Sequence, residues 1–230
     1  MIFFDLDDTL FDERTFCSSA YEEIAAYLSD RHGCDMTYII AAMTDLLYRR
    51  ENPFTWLDEE LNRRGLNHEG YLKELISIYR NHAPEMLPGT RDMHHTLSLL
   101  KERGYNLGLI TDGRSVTQRN KIRALGLEQY FDPEAILISE ETGYDKTSPE
   151  NFRKAMELAG DGEPMVYVGD NTAKDFRHPN LLGWHTFCLR HMRAGVHPQD
   201  FTLPYPVASS YIISSLPELL LYFPAPSRHS

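Results

Sequence analysis

Asp5 and Asp7 stand two residues apart in the run Asp5-Leu6-Asp7-Asp8-Thr9-Leu10, directly after the apolar start Ile2-Phe3-Phe4. In an extended or tightly turning backbone both carboxylates reach one place. Two carboxylates that close repel, and burying them is costly without a cation. Mg²⁺ answers that need, because it takes oxygen ligands and leaves positions open for phosphate. For the pair alone, an acidic turn capping the next helix is an equally good reading.

Three further groups extend the pattern. Ile110-Thr111-Asp112-Gly113-Arg114 places a hydroxyl at a strand end, followed by glycine and a helix start. Thr111 and the backbone N–H groups around Asp112 and Gly113 would then point at the oxygens of a bound anion. An ordinary strand-to-helix turn has the same composition. Lys146 precedes a helix that Ser148 would cap and Pro149 would open. It could offset phosphate charge, although a lone lysine is usually solvated surface. In Gly169-Asp170-Asn171-Thr172-Ala173-Lys174-Asp175, an apolar strand ends in Gly-Asp and a second aspartate follows at a helix start. Asp170 suits a metal ligand. Asp175 suits a group that orients the metal's waters or holds the lysine. Capping by Asp170 or Asn171 would not require that second carboxylate.

The elements that must position these groups are legible in the apolar pattern. Short apolar runs at Ile2–Asp5, Leu107–Thr111, Ile136–Ser139, Met165–Gly169 and Thr186–Leu189 read as buried parallel strands, with Tyr211–Ser214 a weaker sixth. Amphipathic stretches lie between the later runs: Met93, Leu97 and Leu100 share a face, Ile122, Leu125 and Leu127 lie near the end of a helix closed by Gly126, and Phe152, Met156 and Leu158 are assigned to a third. Strand–helix alternation predicts an α/β fold with an open parallel sheet. Residues 13–86 break the alternation. They carry only helical spacing, punctuated by Gly33, Asn52-Pro53 and Gly65, and predict three or four helices inserted after the first strand. The segment 224–230 is expected to be a loose tail.

Size and composition limit the rest. The chain has 230 residues, enough for a core plus an inserted module. Lys+Arg 23 against Asp+Glu 34 give a net charge of -11, which disfavours nucleic-acid polymers and anionic membranes as partners but not a small phosphorylated metabolite in a lysine- and metal-lined pocket. The odd cysteine count, Cys17, Cys34 and Cys188, has no CxxC spacing and fits reduced thiols in the cytoplasm. The start lacks a basic signal-peptide region, and no run approaches the roughly 18 apolar residues of a bilayer span. The ten histidines form no HxH or HExxH pattern and receive no role.

Taken together, DLDDTL at 5–10, ITDG at 110–113, Lys146 and GDNTAKD at 169–175 resemble the four motifs of the haloacid dehalogenase superfamily. Residues 118–131 (QRNKIRALGLEQYF) and 139–146 (SEETGYDK) resemble its phosphatase branch. Thr147 departs from the family's usual proline, and Asp112 from a frequent asparagine; neither removes a catalytic group. The resemblance implies a Rossmann-like core of residues 1–12 and 87–230, with a small α-helical cap at 13–86. It implies Asp5 as a nucleophile that becomes phosphorylated and Asp7 as general acid and base. Thr111, Asp112, Gly113 and Lys146 would meet the phosphoryl group. Mg²⁺ would be held by the Asp5 carboxylate, the Asp7 carbonyl and Asp170, with Asp175 supporting directly or through water. A dehalogenase has no alkoxide to protonate and normally lacks the Asp7 acid, so a phosphate ester is the expected substrate. Arg14, Arg49, Arg50 and Trp56 could touch its leaving group, against a plainer reading as surface charge and a core tryptophan.

Three other readings compete. A sugar-phosphate mutase would use the same aspartyl-phosphate. A signalling receiver domain has a similar pocket, but its acid pair and its phosphorylated aspartate lie on different strands. A non-catalytic binding protein would have no need of the full set of polar groups. Oligomeric state is not legible.

Overall fold

The computed structural model describes residues 1–160, 162–191 and 196–225. All six apolar runs form strands: β1 (Ile2–Phe4), β2 (Leu107–Thr111), β3 (Ile136–Ile138), β4 (Val166–Gly169), β5 (His185–Leu189) and β6 (Tyr211–Ile213). They make one parallel sheet in the order β3-β2-β1-β4-β5-β6. Successive strands run outward from β1 on one side and from β4 on the other. The crevice outside the carboxyl ends of β1 and β4 is therefore the switch point at which such sheets bind ligands.

Side chains alternate across the sheet. Ile2, Phe4, Leu109 and Val168 face one layer, with Met93, Leu97 and Leu100 of the following helix packed there. Phe3, Ile110 and Tyr167 face the other, against Phe152 and Trp184. Both faces are covered, so the strands read as unbroken apolar runs.

Between β1 and β2 lie four helices, α1 (Glu13–His32), α2 (Tyr38–Tyr48), α3 (Pro53–Arg63) and α4 (Tyr71–Asn81), then α5 (Arg91–Glu102) of the sheet layers. The expected punctuation holds. Gly33 closes α1 at a φ of 63°, a conformation costly for any residue with a Cβ. Asn52 caps α3 by accepting the Phe54 N–H at 2.9 Å, and Pro53 opens the helix. Ile24, Leu28, Ile39, Met43, Leu57 and Leu75 belong to a separate apolar cluster, with Trp56 packed against it.

The remaining helices are α6 (Ser115–Ala124), α7 (Ser139–Thr142), α8 (Glu150–Ala159) and α9 (Arg177–Leu181). α8 differs from expectation. Its buried residues are Asn151, Phe152 and Ala155, while Met156 and Leu158 are exposed. Six residues turn a helix by about 240°, so Leu158 cannot share the face of Phe152. The helix begins at Glu150 with Pro149 as its cap residue, and Ser148 Oγ accepts the Glu150 N–H at 3.5 Å. Of the tail expected to be loose, residues 226–230 lie outside the described set. Among the described residues no helix is long and apolar enough to cross a membrane.

Gly108 lies opposite Phe3 in the β1–β2 pairing, and a Cβ there would fall 2.2 Å from Phe3 Cε1. Overpacking of this kind predicts that Gly108→Ala destabilises the chain by about 1–3 kcal/mol. Urea unfolding checks it; unchanged stability would mean that the Phe3 ring repacks at no cost.

Candidate active site

β1 delivers Asp5 to the crevice. Its backbone N–H still bonds Val168 O at 2.8 Å, so the residue is fixed by β4 as well as by its own strand. One carboxylate oxygen accepts the Leu6 N–H at 2.8 Å, and the other pairs with Lys146 Nζ at 2.8 Å. The chain then turns sharply. Asp8 adopts a φ of 54°, unusual for a residue with a Cβ, and its carboxylate ties the turn by accepting the N–H groups of Glu13 (3.1 Å) and Val196 (2.7 Å).

β4 delivers the second acidic group. Asp170 accepts Thr9 Oγ1–H on one oxygen at 3.3 Å and meets His191 Nε2 with the other at 3.2 Å. Asp175 folds back beneath it, accepting the N–H groups of Asp170 (3.1 Å) and Asn171 (2.8 Å) on Oδ2, while Oδ1 pairs with Lys146 at 2.7 Å. Gly169 makes this possible: a Cβ there would lie 2.5 Å from Asp175 Oδ2. Lys146 thus bridges two buried carboxylates and is itself 1% exposed.

β2 ends at Thr111, whose hydroxyl oxygen accepts Gln118 Nε2–H at 2.7 Å and keeps its own proton free to donate. Asp112 accepts the Lys146 N–H at 3.0 Å and pairs with Lys174 at 2.8 Å, so it positions both lysines. The Gly113 N–H, expected among the anion-binding groups, instead donates to Ser139 Oγ at 2.9 Å. That serine opens α7, a helical turn the sequence reading had not separated from the β3 strand end.

A cavity of about 110 Å³ opens among Asp5, Asp7, Asp112, Lys146, Asp170 and Lys174, with Asp8, Glu13, Asn171 and His197 at its margins. Thr111 and Asp175 sit behind this lining. Arg14, Arg49, Arg50 and Trp56 do not reach it. Arg14 pairs with Asp12, Arg49 with Asp45 and Glu51, Arg50 is exposed, and Trp56 packs in the helical cluster.

Electrostatics explain why this cluster calls for a cation. Burial first, then the neighbouring Asp175 and Asp170, push the Asp5 carboxyl well above its usual range, against the pull of Lys146. Burial likewise raises Asp170, with His191 opposing. Desolvation works against the Lys146 ammonium, but Asp175 and Asp5 outweigh it and hold it charged. Two buried carboxylates therefore share one lysine, and a third, Asp170, meets His191. Ligand oxygens of Asp5, Asp170 and Asp175 lie within 4.8 Å of one another. An all-oxygen, net-negative donor set of that size fits a hard divalent ion. A second grouping, Asp8, Asp170 and His191, is equally close, but it offers an imidazole nitrogen in place of one oxygen and suits a hard divalent ion less well.

Several participants had no role assigned from sequence. His191 lies against Asp170, although isolated histidines gave no motif. Burial alone would lower its pKa, yet the hydrogen bond to Asp170 holds it above the ordinary value. Lys174 was visible in GDNTAKD, and Gln118 and Lys121 in QRNKIRALGLEQYF. The partners of Gln118 and Lys121 depend on how α6 is rotated, and that of Lys174 on the turn after β4, neither of which local spacing encodes. Glu13 lies beside Lys121, and burial pushes its carboxyl up to about 7.

Comparison with known proteins agrees with this geometry. The haloacid dehalogenase-like hydrolase model matches residues 1–177. A glyceraldehyde 3-phosphate phosphatase of Pyrococcus furiosus is 29% identical over 96% of this chain and 91% of its own length. The pyrimidine 5'-nucleotidase YjjG of Escherichia coli is 28% identical over 95% of each chain. The magnesium-bound structure of YfnB from Bacillus subtilis superposes with a TM-score of 0.66 at 21% identity, covering 96% of this chain and 97% of that one. The chain, with its parallel α/β core and inserted helices, belongs to the haloacid dehalogenase-like hydrolases.

Proposed function

We propose that this chain is a Mg²⁺-dependent phosphatase that hydrolyses a small phosphomonoester through an aspartyl-phosphate on Asp5. The observation that carries the reading is the setting of Asp5. It is a buried carboxylate at the sheet's switch point, braced by Lys146 and within reach of Asp170, on a cavity of about 110 Å³. Relatives named as a phosphatase and as a nucleotidase support it.

In this reading an Asp5 oxygen attacks phosphorus and the bond to the ester oxygen breaks. Asp7 donates a proton to the departing alkoxide. Asp7 then takes a proton from water as that water attacks the acyl phosphate; the bond between phosphorus and Asp5 breaks and inorganic phosphate leaves. Thr111 donates its hydroxyl proton toward a transferring oxygen, and Lys146 offsets charge that builds in the transition state. Asp5, Asp170 and the Asp7 carbonyl would hold Mg²⁺, with Asp175 bracing Lys146 and the loop behind them. When bound, the ion supplies Lewis-acid stabilisation of the phosphoryl oxygens. Residues 13–86 act as a cap that limits access of water. The net charge of -11 favours a small metabolite over a nucleic-acid polymer or an anionic membrane, and the free thiols suit the cytoplasm.

Asp7 favours an ester over a haloacid, because a departing alkoxide needs a proton and a halide does not. Phosphate release from a panel of phosphosugars, nucleoside monophosphates and short phosphorylated acids tests the reading. Release with Mg²⁺ and its loss in EDTA are expected. Conversion of a sugar phosphate to an isomer without phosphate release would establish the mutase instead.

A further inference from the structure

Asp7 is held in a manner that its assignment as acid and base does not require. Lys121 Nζ meets Asp7 Oδ1 at 2.7 Å, and Gln118 Nε2 donates to Oδ2 at 2.9 Å. Both donors project from one side of α6, three residues apart, as neighbours on a helix surface do. Lys121 is 2% exposed, although a buried lysine is costly unless it is paired. Its ammonium lies 4.9 Å from the centre of the Phe16 ring and 3.2 Å from Glu13 Oε1, at the start of α1. The Gln118 amide also donates to Thr111 Oγ1.

The helix that carries these donors is itself pinned. Thr117 Oγ1 donates to Arg80 O at 2.8 Å, and Asn120 Nδ2 donates to the carbonyls of Asn81 (3.2 Å) and His82 (3.0 Å), at the end of α4. One side of α6 therefore grips the inserted helices, and another grips the carboxylate beside the reaction cavity.

From this geometry we infer that Lys121 and Gln118 are positioning residues that clamp the Asp7 carboxylate, one oxygen each, at the edge where the leaving group departs. The inference rests on the phosphatase reading above. A carboxylate keeps lone pairs beyond those two bonds, so the clamp fixes its direction without blocking proton transfer. Misaimed by even a fraction of its reach, an acid loses most of its effect on a leaving group that needs a proton. It loses much less on one that leaves unaided.

Leaving-group dependence is therefore the test. Turnover of an alkyl phosphate, whose alkoxide needs a proton, is compared with that of p-nitrophenyl phosphate, whose phenolate does not. Wild type is set beside Lys121→Met and Gln118→Met, with melting curves to confirm folding. The expected result is a fall in kcat on the alkyl ester that exceeds the fall on the aryl ester by about tenfold or more. Gln118→Met keeps the test open should Lys121→Met fail to fold. Folded variants that lose equally on both esters, or on neither, overturn the clamp while leaving the phosphatase reading intact. A wild type that releases phosphate from no alkyl ester of the panel above, and none from p-nitrophenyl phosphate, overturns both.

Discussion

Asp5→Asn is expected to lower phosphate release by at least about a thousandfold, since it removes the attacking oxygen rather than an accessory contact. Asparagine is nearly the same shape, and its carbonyl can still accept the Leu6 N–H that Asp5 accepts at 2.8 Å. Lys146 keeps Asp175 as a partner at 2.7 Å. The variant should therefore fold, and its loss should lie in chemistry. Acid-quenched wild-type enzyme should carry phosphate in an acyl linkage that hydroxylamine removes, and the variant should carry none. Wild-type activity in Asp5→Asn would exclude Asp5 as nucleophile.

Lys146→Met should do two kinds of damage. Lys146 bridges Asp5 and Asp175 in the interior, and removing one member of a buried ionic network leaves the others unpaired, at a cost of roughly 3–5 kcal/mol. For a chain of this length that corresponds to a fall in melting temperature of about 6–20 °C in metal-free buffer. Added Mg²⁺ should return part of the loss, because it supplies positive charge to the same carboxylates. Activity should fall by about 10²–10³ even where the protein is folded, since charge stabilisation of the transferring group is gone. A Lys146→Met protein that melts like wild type in EDTA would show that the carboxylates protonate at little cost.

The sheet was legible because β1 to β4 are buried on both faces, so each reads as a short unbroken apolar run. Even Tyr211–Ile213, the weakest by composition, pairs as an edge strand. The inserted helices were legible from their breakers, Gly33 and Asn52-Pro53. Asp5 and Asp170 meet because each follows a strand whose register is fixed by burial, while Lys146 and Asp175, in loops, are held there by ion pairs. What escaped depends on rotation about a helix or on turn geometry. Met156 and Phe152 are four apart, yet only Phe152 is buried, and nothing local distinguishes them. The Gly113 N–H looked available until Ser139 came across from the next strand. Lys121 reads as a surface lysine until α6 is seen to turn it inward.

The position of β1 has a consequence for how the molecule is made. Ile2 pairs with Leu107 on one side and Val166 on the other, so β1 leaves the ribosome well before either of its partners. The helices α1–α4 contact one another within residues 13–81, all made before β2, and can form while synthesis continues. Phe3 and Phe4 meanwhile have no sheet to enter. Asp5 meets its lysine only after residue 146 has been made, and Asp170 later still. A nascent chain halted before β4 would thus hold β1 paired on one side only, with its other edge open and no assembled site, which makes that interval the one in which a holdase chaperone has most to protect.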